Sequence, residues 1–417
     1  MPNNKQKMKT IKALLVLLLT IVAATSVNAQ KLHPLRKLQL AEMAISQLYV
    51  DTVNQQKLVE DAIRGMLKEL DPHSLYSTAK ETKALNEPLN GSFGATTYAE
   101  FMKAVDTLQT QGMHDLIIDL QENGGGYLQA AVKIIEEFLQ KNDLIVYTEG
   151  RAQRRMEYRA TGKGRLTKGK VYVLVNEYSA SAAEILAGAM QDQDRGTIIG
   201  RRSFGKGLVQ RPIDFEDGSM IRLTIAHYYT PSGRCIQKPY AKGDQEDYAM
   251  DIEKRFKHGE LYSADSIHFA DSLKYQTLRR HRTVYGGGGI MPDVFVPLDT
   301  TQFTLLHRQI AARSLIINAT LRYVDQHRQE LKSRYTAFDD FYSNYTVPQS
   351  MTDSIFAEAE RLKLKAYSKE ECDKTLPMLK VQLKALIARD IWDMNEYYRI
   401  MNEQNRIVQK AVEIATK

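Results

Sequence analysis

The chain has 417 residues, of which 43% are hydrophobic and 26% are charged, a composition typical of a soluble globular protein with two or three domains. Its formal net charge is +7, but the first 29 residues contribute four lysines and no acidic residue. The excess of positive charge therefore lies largely at the N-terminus. It gives little support to nucleic acid as a partner, and we expect none.

The N-terminus has the pattern of an export signal. Lysines precede an apolar run at 13–24, and small residues at Val27 and Ala29 suit cleavage after Ala29. We therefore expect residues 1–29 to be a signal peptide and the protein to be exported to the periplasm. The alternative is an uncleaved segment that keeps the protein at the membrane, although its uncharged stretch of 17 residues is shorter than the roughly 20 that a spanning helix needs.

Helical periodicity runs through about 32–85 and is broken at Asp71, because Pro72 disfavours helix in the residue before it. The run Asn90-Gly91-Ser92 indicates a turn. We interpret 30–92 as an N-terminal helical region, and the pattern at 97–109 predicts a further helix.

The middle of the chain alternates strands and helices. Apolar runs at 116–118, 171–175 and 197–199 predict buried strands, and helical patterns follow the first two. The alternation at 220–228 predicts a half-buried strand. Buried strands joined through helices indicate an α/β layer.

Two later regions differ in composition. Residues 236–284 are polar and charged, and we expect them to form a surface excursion. Residues 300–417 contain no glycine and are rich in helix formers, which predicts a mostly helical C-terminal region.

Only two cysteines are present. Cys235 and Cys372 could form one disulfide in an oxidising compartment or remain free thiols. The nine histidines show no metal-ligand spacing, and we expect neither a metal nor a cofactor.

The run SASAAE, which begins at Ser179, puts small hydroxyl residues where a buried strand turns into a helix. Ser181 at the start of that helix would expose its hydroxyl, and the amide of Ala182 would point toward developing negative charge. A second oxyanion donor could come from Gly125 or Gly126. The alternative is that the two serines only cap the helix.

The run FGKGLVQ, which begins at Phe204, puts Lys206 in a turn flanked by glycines, 25 residues after Ser181. Burial can lower the pKa of a lysine until it accepts a proton from serine, so the two runs suggest a Ser/Lys hydrolase. Residues 200–206 also match the start of a phosphate-binding loop. Gly207, however, stands where that loop needs Ser or Thr for magnesium. His227 has no acidic partner in view, which favours a structural role.

The chain resembles the C-terminal processing peptidases, or tail-specific proteases, of serine peptidase family S41. The matching runs, in chain order, are LDPHS from Leu70, DLQENGGG from Asp119, SASAAE from Ser179, residues 197–210, YTPSGR from Tyr229 and GIMPD from Gly289. The resemblance implies a crotonase/ClpP-like α/β catalytic layer at 93–299.

The resemblance also assigns roles to five residues. It implies that Ser181 is the nucleophile, that Lys206 is the general base and that Gln210 orients the lysine. The amides of Gly126 and Ala182 would form the oxyanion hole. The implied activity is that of an exported serine endopeptidase, which cleaves unfolded or tail-exposed polypeptides through an acyl-enzyme.

The sequence departs from the family where a PDZ domain is expected. In the family this domain binds substrate tails by strand addition. Here Leu89 is followed within a few residues by Phe93 and the helix at 97–109, which leaves no room for a module of roughly 90 residues. The alternative function is therefore a catalytically impaired S41-like peptide-binding or scaffold protein that has lost its PDZ domain. An acyl-CoA enzyme on the same fold would explain the glycines but not the Ser/Lys pair.

Overall fold

The computed structural model describes residues 33–85, 93–299, 301 and 303–417. The predicted signal peptide at 1–29 and the predicted turn at 90–92 lie outside the described residues. The chain divides into two units that join in sequence between Glu69 and Leu70.

The first unit contains two helices, α1 (Pro34–Leu48) and α2 (Gln55–Lys68). Proline suits the first turn of α1, because its missing N–H would have no partner there. The side chain of Asn54 accepts a hydrogen bond from the Lys57 N–H at 2.9 Å and caps α2.

The second unit begins with an α/β region. Its elements, in chain order, are β1 (Leu75–Ser77), α3 (Ala79–Leu85), α4 (Thr97–Thr110), β2 (Leu116–Asp119), α5 (Leu128–Glu136), β3 (Leu144–Glu149), β4 (Met156–Arg159), β5 (Val171–Val175), α6 (Ala182–Asp192), β6 (Thr197–Gly200), β7 (Leu208–Asp214), β8 (Met220–Tyr229), α7 (Gln245–Ala249), α8 (Asp251–Lys257), β9 (Lys274–Gln276), β10 (Thr283–Tyr285) and β11 (Val294–Phe295).

A parallel sheet in the order β11-β6-β5-β2 forms the centre of this region. Every residue of β5 is buried, because both faces of the sheet are covered. On one face, Val171, Val173 and Val175 pack in a core shared with helices α4, α5 and α6. Helix α6 is buried along its whole length.

A second sheet is antiparallel and centres on β8. Strand β7 lies along one edge of β8, while β1 and β3 pair with the two ends of the other edge, and β4 pairs with β3. The register between β7 and β8 shifts at Val209/Gln210. Such an irregularity re-aims the side chains that follow it.

The rest of the second unit is helical. Its helices are α9 (Leu305–Ala312), α10 (Leu315–Arg334), α11 (Phe338–Asn344), α12 (Gln349–Arg361), α13 (Lys369–Ile391), α14 (Met394–Met401) and α15 (Arg406–Ala415). Helices α9 to α14 share a core of their own. Helix α15 instead returns to the parallel sheet, where Ile407 and Ala411 pack against Tyr172, Leu174 and Ile199. It thus covers the sheet face opposite α6.

The predicted α/β layer, N-terminal helices and helical C-terminal region are confirmed, whereas the domain boundaries stay predictions. Strands β3 and β4 were not predicted. The apolar run of β3 cannot be told from a buried helix segment by periodicity, and β4 is short and mostly exposed. Cys235 and Cys372 are both free. Among the described residues, no helix combines the length and apolar character needed to cross a membrane.

Candidate active site

The serine turn (residues 176–181) links β5 to α6. The hydroxyl of Ser179 is fully buried, donates to the Leu120 carbonyl at 2.7 Å and accepts from the Asn176 N–H at 2.9 Å. Ser179 is therefore used to shape the turn. Of the two serines in this run, Ser181 remains as the candidate nucleophile.

Ser181 is the N-cap of α6 and has a positive φ of 56°. Non-glycine residues rarely adopt this conformation, and where they do they often lie at functional sites. The carboxylate of Glu184, one turn into the helix, accepts from the Ser181 N–H at 2.8 Å. This bond is one half of a capping box and helps to fix the strained residue.

The glycine loop (residues 123–126) lies against the serine turn. The Asn123 carbonyl accepts from the Ala180 N–H at 2.9 Å. Gly125 has a φ of +97°, and a β-carbon there would lie 2.7 Å from the Ser181 β-carbon and 2.8 Å from the Ala182 nitrogen. Glycine is therefore required at this approach. Of the two predicted oxyanion donors, Gly126 lies in the glycine loop and Ala182 follows the serine turn as the first residue of α6. Their roles stay predictions.

The lysine loop (residues 201–207) joins β6 to β7. The ammonium of Lys206 donates to Oε1 of Gln210 at 3.2 Å, and Nε2 of Gln210 donates to the His73 carbonyl. Because an amide donates only from nitrogen, the His73 carbonyl fixes which end of Gln210 faces Lys206. The structure thus brings together the two residues to which base and orienting roles were assigned.

Glu184 joins the serine turn to the lysine loop. Its buried carboxylate accepts from the Lys206 N–H at 2.8 Å, the Gly205 N–H at 2.7 Å and the Ser203 hydroxyl at 2.6 Å, besides the Ser181 N–H. Burial raises the pKa of Glu184, and the four hydrogen bonds oppose that rise. The backbone amides of Ser181 and Lys206 therefore share one carboxylate.

The surroundings of Lys206 lower the pKa of its ammonium group. Burial lowers the pKa of this lysine below its ordinary value of 10.5, and the positive charge of Arg222 lowers it further. The carboxylates of Glu184 and Asp71 act in the opposite direction. A lysine in this setting can serve as a general base.

Sequence reasoning missed the Asp-Pro turn (residues 71–74) as part of the site. Asp71 is buried and accepts from the His73 N–H at 2.9 Å, the Ser74 hydroxyl at 2.5 Å and the Thr224 hydroxyl at 2.9 Å. The turn holds the carbonyl that orients Gln210. Its sequence signal was an aspartate before proline, which was interpreted as a helix break and as a run matching the family but was given no role in the site.

The prediction that 236–284 is merely a surface excursion is wrong. Arg255 of α8 is buried and donates to the carbonyls of Ser203 and Phe204 at 2.7 and 3.0 Å. Lys238 lies 3.9 Å from the ring centroids of both Phe204 and Tyr248, and burial lowers its pKa to about 8. This segment therefore contacts the lysine loop and stabilises its conformation.

Other candidates take no part in this arrangement. His227 lies in β8, where it pairs with Leu208 and Glu149, and its ring lies 6.5 Å from that of Tyr229. No three histidine, cysteine, aspartate or glutamate side chains among the described residues are grouped so as to hold a metal ion.

Comparisons with family models match three ranges of the chain. Residues 91–249 match the model of peptidase family S41, a range that contains all five predicted site residues. Residues 17–82 match the N-terminal domain of the activating protease CtpB, and residues 306–393 match a family of unknown function. No PDZ domain is among the matching family models.

Similar curated proteins are processing peptidases. The chloroplastic C-terminal processing peptidase of Tetradesmus obliquus is 37% identical over 166 residues, which cover 39% of this chain and 36% of the relative. The carboxy-terminal processing protease CtpA of Bacillus subtilis is 34% identical over 195 residues, which cover 45% of this chain and 41% of the relative. The matched segment thus spans about two fifths of each relative.

Among solved structures, a photosystem II D1 C-terminal processing protease is 28% identical and aligns with a TM-score of 0.35, covering 50% of this chain and 41% of that one.

Proposed function

We propose that the protein is a serine endopeptidase that cleaves unfolded or tail-exposed polypeptides through an acyl-enzyme, because residues 91–249 match the model of peptidase family S41 and similar curated proteins are processing peptidases. The observation that carries the proposal is the shared carboxylate of Glu184, which accepts from the amides of both Ser181 and Lys206. It keeps a candidate nucleophile and a candidate base in adjacent segments.

In the proposed acylation step, the neutral amine of Lys206 takes the hydroxyl proton of Ser181 while Oγ bonds to the scissile carbonyl carbon. The carbonyl oxygen becomes an oxyanion that faces the amides of Gly126 and Ala182. The C–N bond then breaks, and the ammonium of Lys206 gives its proton to the leaving amine. Water hydrolyses the ester by the same steps in reverse order. The lowered pKa of Lys206 supports its role as the base.

Gln210 has an orienting role in this proposal. Its Oε1 accepts from Lys206 at 3.2 Å, while its amide nitrogen is engaged by the His73 carbonyl. A long lysine side chain has many rotamers, and one fixed acceptor reduces the number that the amine visits.

The test uses the full chain, fluorescently labelled casein as a disordered substrate and a fluorophosphonate probe. The probe labels an activated serine, because Oγ bonds to phosphorus, fluoride leaves and Lys206 takes the proton. We expect the parent to cleave casein and to label, and we expect Ser181→Ala and Lys206→Ala to do neither. Lys168→Ala, at an exposed lysine, is the matched control and should retain parental activity.

Two results would contradict the proposal. Cleavage by Lys206→Ala at the parental rate would remove the lysine from the mechanism. A folded parent that neither cleaves nor labels, yet binds casein, would favour the non-catalytic peptide-binding alternative.

We also propose that the protein is exported through residues 1–29. The pattern of lysines, an apolar run and small residues before Gln30 supports this. N-terminal sequencing of the protein recovered from the periplasmic fraction should begin at Gln30, and an intact Met1 would contradict cleavage.

A further inference from the structure

One buried hydroxyl touches the backbones of both Ser181 and Lys206. The phenol oxygen of Tyr228 lies 3.1 Å from the Ser181 carbonyl oxygen, and it also donates to the Lys206 carbonyl. Only 1% of Tyr228 is exposed. A phenol carries a single proton, so the two carbonyls share one donor.

The backbone of Tyr228 is fixed by the antiparallel sheet. It lies in β8, pairs with Thr148 of β3, and its N–H donates to the Gly207 carbonyl at 2.9 Å. Its ring packs in the main core. Burial raises the pKa of Tyr228 well above its ordinary value, so the hydroxyl remains protonated and able to donate. The hydroxyl is therefore a fixed point between the serine turn and the lysine loop.

Tyr228 and Glu184 hydrogen-bond to different backbone groups of the same two residues. The carboxylate of Glu184 accepts from the amides of Ser181 and Lys206, whereas the phenol of Tyr228 faces their carbonyls. A residue whose backbone N–H and C=O are both hydrogen-bonded has little freedom to shift. The distance between the two segments thus depends on both side chains.

We propose that Tyr228 is a positioning residue that sets the separation of nucleophile and base, an inference that rests on the proposed peptidase function. Proton transfer from Ser181 to Lys206 requires the two side chains to stay within hydrogen-bond reach. A shift of about 1 Å in such a geometry can cost on the order of 100-fold in rate. Substrate binding does not require the same separation.

The change Tyr228→Phe removes the hydroxyl and keeps the ring in the core. It leaves the carbonyls of Ser181 and Lys206 without this donor, and the two segments lose their common contact on that side. A ring that only filled space would tolerate the change, apart from a loss of stability. Activity per folded molecule separates these two roles.

The matched control is Tyr98→Phe. The hydroxyl of Tyr98, in α4, donates at 2.5 Å to Glu137, the C-cap residue of α5, and neither residue belongs to the serine turn or the lysine loop. This control also removes a phenol hydroxyl and its hydrogen bond, but at a part-buried carboxylate, so it should leave the site unchanged.

The experiment measures kcat and KM on labelled casein, the rate of fluorophosphonate labelling and the thermal unfolding midpoint for the full-length parent and both variants. For Tyr228→Phe we expect kcat and the labelling rate to fall about 10- to 100-fold, with KM within about twofold of the parent. Tyr98→Phe should keep the parental kcat, KM and labelling rate.

The outcomes are distinct. An active parent together with a folded Tyr228→Phe that keeps the parental kcat would overturn the inference while leaving the proposed function intact. Failure of Tyr228→Phe to fold would also overturn it, since the hydroxyl would then act through stability. A folded parent that neither cleaves nor labels would overturn the proposed function and the inference with it.

Discussion

Among single residues, Arg222 has the most direct electrostatic effect on the proposed base. It lies on β8, and its charge lowers the pKa of Lys206 in addition to the larger effect of burial. The base must be neutral to accept the serine proton, so activity should rise with pH through the pKa of Lys206. The midpoint of that rise should lie below 10.5, the ordinary value for lysine.

Replacing Arg222 by Gln tests this relation. Without the positive charge, protonated Lys206 is less disfavoured and its pKa rises, so the acidic limb of the pH profile of kcat/KM should move to higher pH. At pH values below the midpoint of this limb, we expect the activity of Arg222→Gln to be several-fold lower than that of the parent. At high pH the two activities should be nearly the same. Profiles of casein cleavage over the stable pH range would measure this.

The matched control for that experiment is Arg211→Gln, at an exposed arginine on the adjacent strand β7. Its profile should coincide with that of the parent. A limb that stays in place in Arg222→Gln, or that moves to lower pH, would show that Arg222 does not act on the base in this way.

Among the elements, α8 has a role that its position in the chain does not suggest. Arg255 reaches from this helix to the carbonyls of Ser203 and Phe204 and also pairs with Asp251 at 2.8 Å. The lysine loop has no regular secondary structure, and these bonds supply partners for two of its carbonyls. The helix therefore contributes to the site without lining it.

We expect Arg255→Gln to lower the free energy of unfolding by about 2–4 kcal/mol, because the carbonyls of Ser203 and Phe204 lose a donor and the ion pair with Asp251 is lost. A looser lysine loop should also reduce kcat by about tenfold at nearly constant KM. Urea unfolding and casein kinetics measure the two effects.

Lys257→Gln on the same helix is the matched control, because Lys257 is exposed and pairs with Glu253 at the surface. It should change stability by no more than about 0.5 kcal/mol. Equal effects of the two substitutions would contradict a supporting role for Arg255.

Contacts between residues that are far apart in the chain could not be predicted from the sequence. Ser181 and Lys206 were proposed because each lies in a short run whose residue types fit a local turn, whereas the role of Gln210 was implied only by the family resemblance. Arg255 donates to carbonyls about fifty positions away, and one partner of Asp71, Thr224, lies on β8. A polar composition such as that of 236–284 contains no sign of such contacts, so its supporting role could not be predicted.

At the scale of the whole molecule, α15 explains why β5 is apolar at every position. Val173 and its alternate neighbours face the core that contains α6, while Tyr172 and Leu174 face Ile407 of α15. A strand covered on both faces has no polar side. The last described helix thus packs against the sheet that carries the serine turn.

We expect Ile407→Ala to lower the free energy of unfolding by about 2–5 kcal/mol, because it leaves a cavity between α15 and the sheet. Val412→Ala, on the same helix at a side chain that is 47% exposed, should change it by no more than about 0.5 kcal/mol. Urea unfolding of the full chain compares them. Similar losses in both variants would argue against a specific contact of Ile407 with the sheet.

The return of α15 also sets an order of events during synthesis. Ile199 and Ala411 share one core but are far apart in the chain. At about 5–20 residues per second, a ribosome needs about 10–40 s to pass from one to the other. Throughout that interval the sheet face at Tyr172 and Leu174 has no cover from α15. The nascent chain therefore carries this apolar surface without α15 during that interval, and the sheet beneath the serine turn gains its final packing only after translation has passed Ala411.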